Sequence, residues 1–341
     1  MGCASGNSIN DKPTNTFAHI SDKKNTIKSS LKKLHSITDI HNKAVFSFTL
    51  LCPNENIFVI GYRDGTIILC STNISKQNHK ILLKKQNAHH KGVSYIQPLP
   101  KANTFATSSL DKSIKFWEYT SSSSEPSLNL IHSIDKAHEG MVNKLILYQN
   151  DKLISCSSED SFIHIWNISS YNLIHTINAL NSVWCIINLI RHQDILVGSC
   201  YGEQRICFWN LNTYELINTV NEIGCYSLNG MIELVNGDVV CINEKGVINV
   251  IDVEHYTMIK EINGDGYING YGSLCLIDIG SFCYCCKGKF IQIEYPEYNV
   301  IYKGEYQEEE FDGDAAMVLF EKGKCFVCEN HSHGLSFMGY S

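Results

Sequence analysis

The sequence predicts an all-β fold built from one repeated unit, and two observations indicate it. The segments 88–93 (AHHKGV) and 137–142 (AHEGMV) share a pattern, and the same residue types follow each at the same distances. An Asp lies 22 residues after the His, and a Trp lies six residues after the Asp. The stretches between them are short runs of alternating apolar and polar residues, which is typical of β-strands. These runs are 104–108, 113–117, 152–156 and 162–166.

The repeat continues along the chain with spacings of 42 to 49 residues. The positions equivalent to the Trp, at the third strand of each unit, are Cys70, Trp117, Trp166, Trp209, Ile251, Glu294 and Met338. A period of this size is typical of a β-propeller, in which each unit forms one four-stranded blade. The sequence therefore predicts a seven-bladed β-propeller of four-stranded antiparallel blades over residues 31–341.

The order His, Asp and Trp within a unit of this length resembles the WD-repeat β-propeller family. The resemblance is strongest in units two and three, moderate in units one and four, and weakest in units five to seven. This chain departs from the family pattern in two places. Its Trp residues are followed by Glu118, Asn167 and Asn210 rather than by Asp, and Ala replaces Gly before the repeated His.

The two chain ends are predicted to form one blade together. Residues 33–41 (KLHSITDIH) are similar to residues 130–138 (LIHSIDKAH), which form an outer strand that runs into the next unit. Residues 324–329 and 335–340 resemble two inner strands, after which the chain stops. We therefore expect residues 31–38 to complete the last blade and to remove its open edge, so that an N-terminal strand closes the ring.

Residues 1–30 are predicted to be a disordered polar and basic tail with a lipidation signal. Residues 1–33 carry a net charge of +4, and the remainder of the chain carries −11. Gly2 resembles an N-myristoylation acceptor and Cys3 a palmitoylation site, although Gly6 stands where that pattern has Ser or Thr. Myristate, palmitate and lysines could together hold the tail on a cytoplasmic membrane surface. The alternative is a polar N-terminus that happens to begin with MGC.

Composition excludes several classes of protein. The 28 Lys and Arg against 35 Asp and Glu argue against a general nucleic-acid-binding protein, which is normally basic. No segment has the roughly 20 apolar residues that cross a bilayer, and the N-terminus lacks an apolar secretory signal. The 15 cysteines in a chain of 341 residues therefore indicate reduced thiols and a cytoplasmic protein.

The chemically active residue types of units two and three are predicted to be structural. In the WD-repeat family such residues form a hydrogen-bonded tetrad in which the His lies between the Asp and the Ser or Thr that reaches the Trp. Recurrence in successive units favours this role, since an enzyme needs one site. The predicted tetrads are His89, Thr107, Asp111 and Trp117 in unit two, and His138, Cys156, Asp160 and Trp166 in unit three.

Neither a metal site nor a cofactor site is expected. Cys325 and Cys328 are followed by two His, but residues three apart on a strand point to opposite faces. The same argument covers Cys283, Cys285 and Cys286. The acidic stretch 305–314 lacks the spacing of a calcium loop and is predicted to be either a solvated loop or a docking surface for a basic partner.

Family resemblance implies a protein-binding face where the loops before the innermost strands meet the loops that carry the Asp. The residue five positions after the repeated His often reaches that face, and large aromatic side chains there are natural anchors for a partner. The predicted face consists of Phe46, Arg63, Ser94, Leu110, Asn143, Glu159, Trp184, Tyr201, Tyr226 and Tyr267. Phe46 and Trp184 have an alternative role in the core.

The predicted function is a non-catalytic scaffold or adaptor that binds one or more proteins through this face, with a membrane tether at the N-terminus. No nucleic acid and no small-molecule substrate is expected. Two alternatives stay open. One alternative to the scaffold is a hydrolase that acts at the central channel, which would need a converging set of catalytic side chains. The other is a subunit of a trafficking or assembly complex.

Overall fold

A computed structural model describes residues 31–38, 40–121, 125–200, 204–223, 230–243, 246–263, 273–286, 289–305, 318–320, 325–330 and 334–340. Within these ranges the chain forms 28 β-strands and one short 3₁₀ helix, Pro53–Glu55. The strands assemble into seven antiparallel sheets of four strands each. The predicted all-β propeller of four-stranded antiparallel blades is confirmed. No helix in the described ranges is long and apolar enough to cross a bilayer.

The first four sheets follow chain order, and their strands have these bounds. Sheet 1 consists of β2 (Val45–Cys52), β3 (Ile57–Tyr62), β4 (Ile67–Asn73) and β5 (Asn78–Lys85). Sheet 2 consists of β6 (Val93–Pro98), β7 (Thr104–Ser109), β8 (Ile114–Thr120) and β9 (Ser127–Ile134). Sheet 3 consists of β10 (Val142–Tyr148), β11 (Lys152–Ser157), β12 (Phe162–Asn167) and β13 (Leu173–Asn178). Sheet 4 consists of β14 (Val183–Asn188), β15 (Ile195–Cys200), β16 (Arg205–Asn210) and β17 (Leu216–Val220).

The other three sheets include the one that joins the two ends of the chain. Sheet 5 consists of β18 (Met231–Glu233), β19 (Val239–Ile242), β20 (Ile248–Asp252) and β21 (Thr257–Ile262). Sheet 6 consists of β22 (Ser273–Asp278), β23 (Ser281–Cys286), β24 (Lys289–Glu294) and β25 (Asn299–Glu305). Sheet 7 consists of β1 (Leu31–Ile37), β28 (Gly334–Tyr340), β27 (Cys325–Asn330) and β26 (Val318–Phe320).

Apolar side chains on both faces of the sheets explain why these segments form stacked blades. The second and third strands are the most deeply buried, and β3 and β7 are buried at every position. The outer strands are mostly exposed, as β5 and β21 show. A strand that is buried on both sides must lie between two other layers, which the neighbouring sheets supply.

Consecutive sheets share apolar clusters. Sheets 1 and 2 meet around Trp117, sheets 2 and 3 around Trp166, and sheets 3 and 4 around Trp209. Further clusters join sheets 4 and 5 and sheets 5 and 6. The first strands of neighbouring sheets contact one another from β2 through to β26. Each sheet therefore has one innermost strand, and the strand at its opposite edge lies at the rim. The innermost strands are β2, β6, β10, β14, β18, β22 and β26.

The N-terminal strand pairs with the C-terminal strand. In this antiparallel pair Leu31 lies opposite Tyr340, and Ile37 lies opposite Leu335. One cluster of buried residues contains Ile37, Leu335 and Phe337 together with Phe58 and other side chains of sheet 1. Sheet 7 therefore packs against sheet 1. The tail over residues 1–30, with Gly2 and Cys3, lies outside the described residues.

Candidate interaction face and its histidine networks

Four side chains of sheet 2 form one buried hydrogen-bond chain. His89 precedes β6, Thr107 lies on β7, and Asp111 lies in the turn that leads to Trp117 on β8. His89 Nδ1 lies 3.1 Å from Asp111 Oδ2, and His89 Nε2 lies 2.7 Å from Thr107 Oγ1. The Trp117 indole Nε1–H donates to the same Thr107 Oγ1 at 2.9 Å. The network fixes the loop before the sheet to its two central strands.

The partners determine where the proton of the imidazole lies. The Asp111 carboxylate can only accept, so Nδ1 carries the hydrogen, and the Thr107 hydroxyl then donates to Nε2 while accepting from Trp117. Burial lowers the pKa of His89, which favours this neutral form. Burial alone would raise the pKa of Asp111, but hydrogen bonds from His89, Ser113 and the His90 amide hold it well below its usual range. The polar side-chain groups of His89, Thr107, Asp111 and Trp117 therefore all have partners.

Sheet 3 contains a second network, but its hydroxyl comes from Ser155 rather than from Cys156. His138 Nδ1 lies 3.0 Å from Asp160 Oδ2, and His138 Nε2 lies 2.8 Å from Ser155 Oγ. Trp166 Nε1–H donates to Ser155 Oγ at 2.9 Å. The prediction that Cys156 completes this tetrad is wrong.

A longer turn causes the shift. Between the paired residues Ser108 and Ile114 of sheet 2 lie five residues, whereas six lie between the paired residues Cys156 and Ile163 of sheet 3. One extra residue moves the register by one position and turns each side chain to the other face of the sheet. Cys156 consequently packs in the apolar cluster between sheets 3 and 4, where burial raises the pKa of its thiol.

Replacing Cys156 by Ser tests this register. We expect the free energy of unfolding to fall by about 1–3 kcal/mol, because the new hydroxyl would be buried among apolar side chains. Urea unfolding followed by tryptophan fluorescence measures the change. Ser155→Cys is the matched variant and should also destabilise, since a thiol is a weaker partner for Trp166 and His138. Stabilisation by Cys156→Ser would instead place residue 156 in the network.

A third His–Asp pair in sheet 1 was not predicted. His41 Nε2 lies 2.8 Å from Asp64 Oδ2, and the His41 ring packs edge-on against Tyr62 with centroids 4.6 Å apart. The signal in the sequence is a His followed by an Asp after 23 residues, one more than in sheets 2 and 3. Sheet 1 lacks the Trp, since Cys70 occupies that position, so the pair stands without the rest of a tetrad.

The residues five positions after the repeated His, or after Ala179 where sheet 4 has no such His, all lie in β-bulges. The pairing of the first two strands slips at Phe46, Ser94, Asn143 and Trp184, each of which is the extra residue of its bulge. A bulge re-aims one side chain without ending the strand. The same backbone device therefore recurs at the start of the innermost strand in four successive sheets.

Ser94 and Asn143 do not belong to an exposed face. Ser94 is 2% exposed and Asn143 is 3% exposed. The Ser94 hydroxyl contacts Ser108 Oγ at 2.9 Å and donates to the Val142 carbonyl of the next sheet. Asn143 Oδ1 accepts from Ser158 Oγ at 3.1 Å. Small polar side chains at these bulges turn inward to bond their neighbours, and this corrects the prediction that they meet a partner.

The remaining described positions of the predicted face are accessible. Phe46 and Trp184 are half-buried, Leu110 is half-buried, and Arg63 and Glu159 are exposed. The Arg63 guanidinium lies 5.9 Å from the centre of the Phe46 ring, within the range of a cation–π contact. Tyr201, Tyr226 and Tyr267 lie outside the described residues.

The other residues that the sequence singled out have these positions. Cys283 is buried on β23. Cys325 and Cys328 lie on β27 opposite Gly339 and Ser336, and the side chains of that strand, like most of the acidic stretch 305–314, lie outside the described part. Among the described side chains no group of three or more His, Cys, Asp or Glu is arranged to hold a metal ion.

Comparison with known proteins identifies the repeats. Residues 80–118 and 128–167 match the family described as "WD domain, G-beta repeat", and these two matches cover the tetrads of sheets 2 and 3. No curated protein matches the chain. Two segments of this β-propeller of four-stranded blades, those around sheets 2 and 3, therefore match WD repeats.

Proposed function

We propose that the protein is a non-catalytic scaffold that binds partner proteins through the face bearing Phe46, Arg63, Leu110, Glu159 and Trp184. WD-repeat propellers generally mediate protein–protein interactions, and a fold alone does not assign a role, so the proposal rests on the site.

One observation carries the proposal. The acidic and basic side chains of the two tetrads are bonded to one another, with His89 and His138 both buried, so they do not present a nucleophile and base to solvent. The groups of the proposed face that reach solvent are the Arg63 guanidinium over the Phe46 ring, the Glu159 carboxylate and the half-buried Trp184 side chain. Arg and aromatic side chains are the residue types enriched at interface hot spots.

The proposal includes a closed ring of seven blades over residues 31–341, completed by β1. Its support is the pairing of β1 with β28 and the cluster that packs Ile37, Leu335 and Phe337 on sheet 1. A closed ring would hold the loops of the face in fixed relative positions, which a scaffold needs in order to bind without a large ordering cost.

Substitution of two residues of the proposed face tests whether it binds partner proteins. We expect Arg63→Glu and Trp184→Ala to remove a common set of proteins from affinity capture of the full chain, quantified by mass spectrometry. The control is Lys101→Glu, because Lys101 lies in the turn between β6 and β7 at the other end of the sheets and its side chain is 72% exposed. Circular dichroism verifies that all three variants fold.

The outcome distinguishes a face from a general effect of charge. Partners lost in Arg63→Glu and retained in Lys101→Glu would support the proposed face. An identical set of partners in wild type and in both face variants, all folded, would overturn it. Unfolding of Trp184→Ala alone would assign Trp184 to the core and leave Arg63 as the test.

We also propose that Gly2 and Cys3 are acylated and tether the scaffold to a cytoplasmic membrane surface. The support is the MGC start and the lysines that follow it. Gly2→Ala should move the protein from the membrane fraction to the supernatant, and an unchanged distribution would contradict acylation.

A further inference from the structure

Two outer strands of the propeller differ from the other five in charge. The strand β5 (NHKILLKK) carries three Lys and β1 (LKKLHSI) carries two, and neither contains an acidic residue. The strands β9, β13 and β17 contain no Lys, Arg, Asp or Glu. In β21 and β25 one Lys is balanced by one Glu. Positive charge at the rim is therefore concentrated on β1 and β5.

These two strands are neighbours in space. The rings of His35 on β1 and His79 on β5 lie with their centroids 5.5 Å apart. The same two strands, with the turn before β5, line one open groove. We call the surface formed by β1, β5 and the turn containing Lys76 the basic rim.

The described cations of the basic rim reach solvent. Lys76, Lys80, Lys84 and Lys85 are all exposed, and Ile81 between them is 43% exposed. Lys84 Nζ contacts His41 Nδ1 at 3.2 Å, whereas no carboxylate of the described residues forms an ion pair with any of the four. Their charge is therefore directed outward rather than neutralised within the protein.

The basic rim belongs to a protein whose net charge is negative. Over residues 31–91 nine Lys and Arg face three Asp and Glu, a net of +6, whereas residues 92–341 carry 15 Lys and Arg and 30 Asp and Glu, a net of −15. Such an asymmetric charge distribution orients a protein in an external field. One edge of the propeller would turn toward an anionic surface while the rest is repelled by it.

We propose that the basic rim docks edge-on against an anionic membrane leaflet. The cations are Lys rather than Arg, which suits diffuse attraction to a charged surface better than bidentate recognition of one carboxylate or phosphate. The exposed Ile81 could enter the interfacial region beside them. The segment that begins with MGC is joined directly to β1, one of the two strands of the basic rim. The inference deepens the proposed membrane association.

Vesicle binding by unacylated full-length protein tests the inference apart from the acyl anchor. The probe is phosphatidylcholine vesicles with and without phosphatidylserine, at about 0.1 M salt. The variant is the triple substitution Lys76→Glu, Lys80→Glu and Lys85→Glu, which spares the Lys84–His41 contact. The control carries the same change in charge away from β1 and β5, at the exposed residues Lys101, Lys136 and Lys260.

We expect wild type to bind only vesicles that contain phosphatidylserine. The rim variant should bind about 100-fold more weakly, since each Lys near an anionic surface contributes about 1 kcal/mol, and the control should retain most of the affinity. Equal loss in both triple variants would overturn the inference. Absence of wild-type binding to the vesicles would overturn it as well. If the wild type bound polyglutamate instead, the basic rim would be assigned to an acidic polypeptide. Either failure would say nothing against the proposed face at Arg63 or the proposed acylation of Gly2, because this assay measures neither partner binding nor acylation.

Discussion

Replacing Thr107 by Val is expected to lower the free energy of unfolding by about 2–6 kcal/mol. Val keeps the volume and the branched shape of Thr, so packing in sheet 2 stays nearly unchanged. The substitution removes one oxygen that two buried groups share, the Trp117 indole N–H and the His89 Nε2. A buried polar group left without a partner costs about 1–3 kcal/mol, and here there are two.

The matched control separates the hydrogen bonds from the side-chain volume. Thr107→Ser retains the hydroxyl and loses a methyl group, so it should cost only about 1 kcal/mol. Urea unfolding followed by circular dichroism and by tryptophan fluorescence measures both variants. A cost for Thr107→Val no greater than that for Thr107→Ser would contradict the network, because it would show that the volume rather than the hydroxyl matters.

The His and the Asp that the repeated spacing singles out lie within hydrogen-bond distance of each other in both sheets. These two residues lie in loops at the same end of a sheet, and the 21 residues between them include the whole first hairpin. That distance is equal in sheets 2 and 3. The hydroxyl residue was harder to locate because its position depends on how the turn is closed. The longer turn of sheet 3 moves the partner of Trp166 by one residue without altering the His–Asp spacing.

Residue type was the signal that counting along the chain overlooked. Ser155 is a hydroxyl residue directly beside the predicted Cys156, and a Trp N–H in the core needs a good acceptor. A similar limit applies to the four residues at the β-bulges. The spacing singled out these four positions but did not indicate which side chains turn inward. Ser94 and Asn143 find partners in the neighbouring strand and turn, whereas the larger Phe46 and Trp184 stay half-exposed.

The basic rim was only partly visible in the sequence. Counting charges placed an excess of Lys in residues 1–33 and assigned the rest of the chain an acidic balance. The pairing of β1 with β28 brings Lys32 and Lys33 onto an outer strand of the propeller, next to the strand that carries Lys80 and Lys85. A surface formed by segments more than 40 residues apart appears only when their neighbourhood in space is known.

Replacing Gly65 by Ala is expected to destabilise the protein by about 2–5 kcal/mol. Gly65 has φ of +84°, a conformation that costs an L-residue about 1–2 kcal/mol. An added Cβ would also lie 2.1 Å from the carbonyl oxygen of His89 and 2.8 Å from that of Lys91. These are backbone atoms, so the loop itself must move, and overpacking of this kind typically costs a further 1–3 kcal/mol.

Gly237→Ala provides the control because it shares the unusual backbone but not the close contact. Gly237 has φ of +100°, and its nearest neighbour is the flexible Arg191 Cδ at 3.1 Å. We expect a cost of about 1–2 kcal/mol for this variant. The larger effect at Gly65 follows from its position, since its carbonyl accepts the His89 amide at 3.0 Å and so ties sheet 1 to the loop that begins the network of sheet 2. Equal costs in urea unfolding would mean that this loop yields easily, and that the network rather than the turn determines where His89 lies.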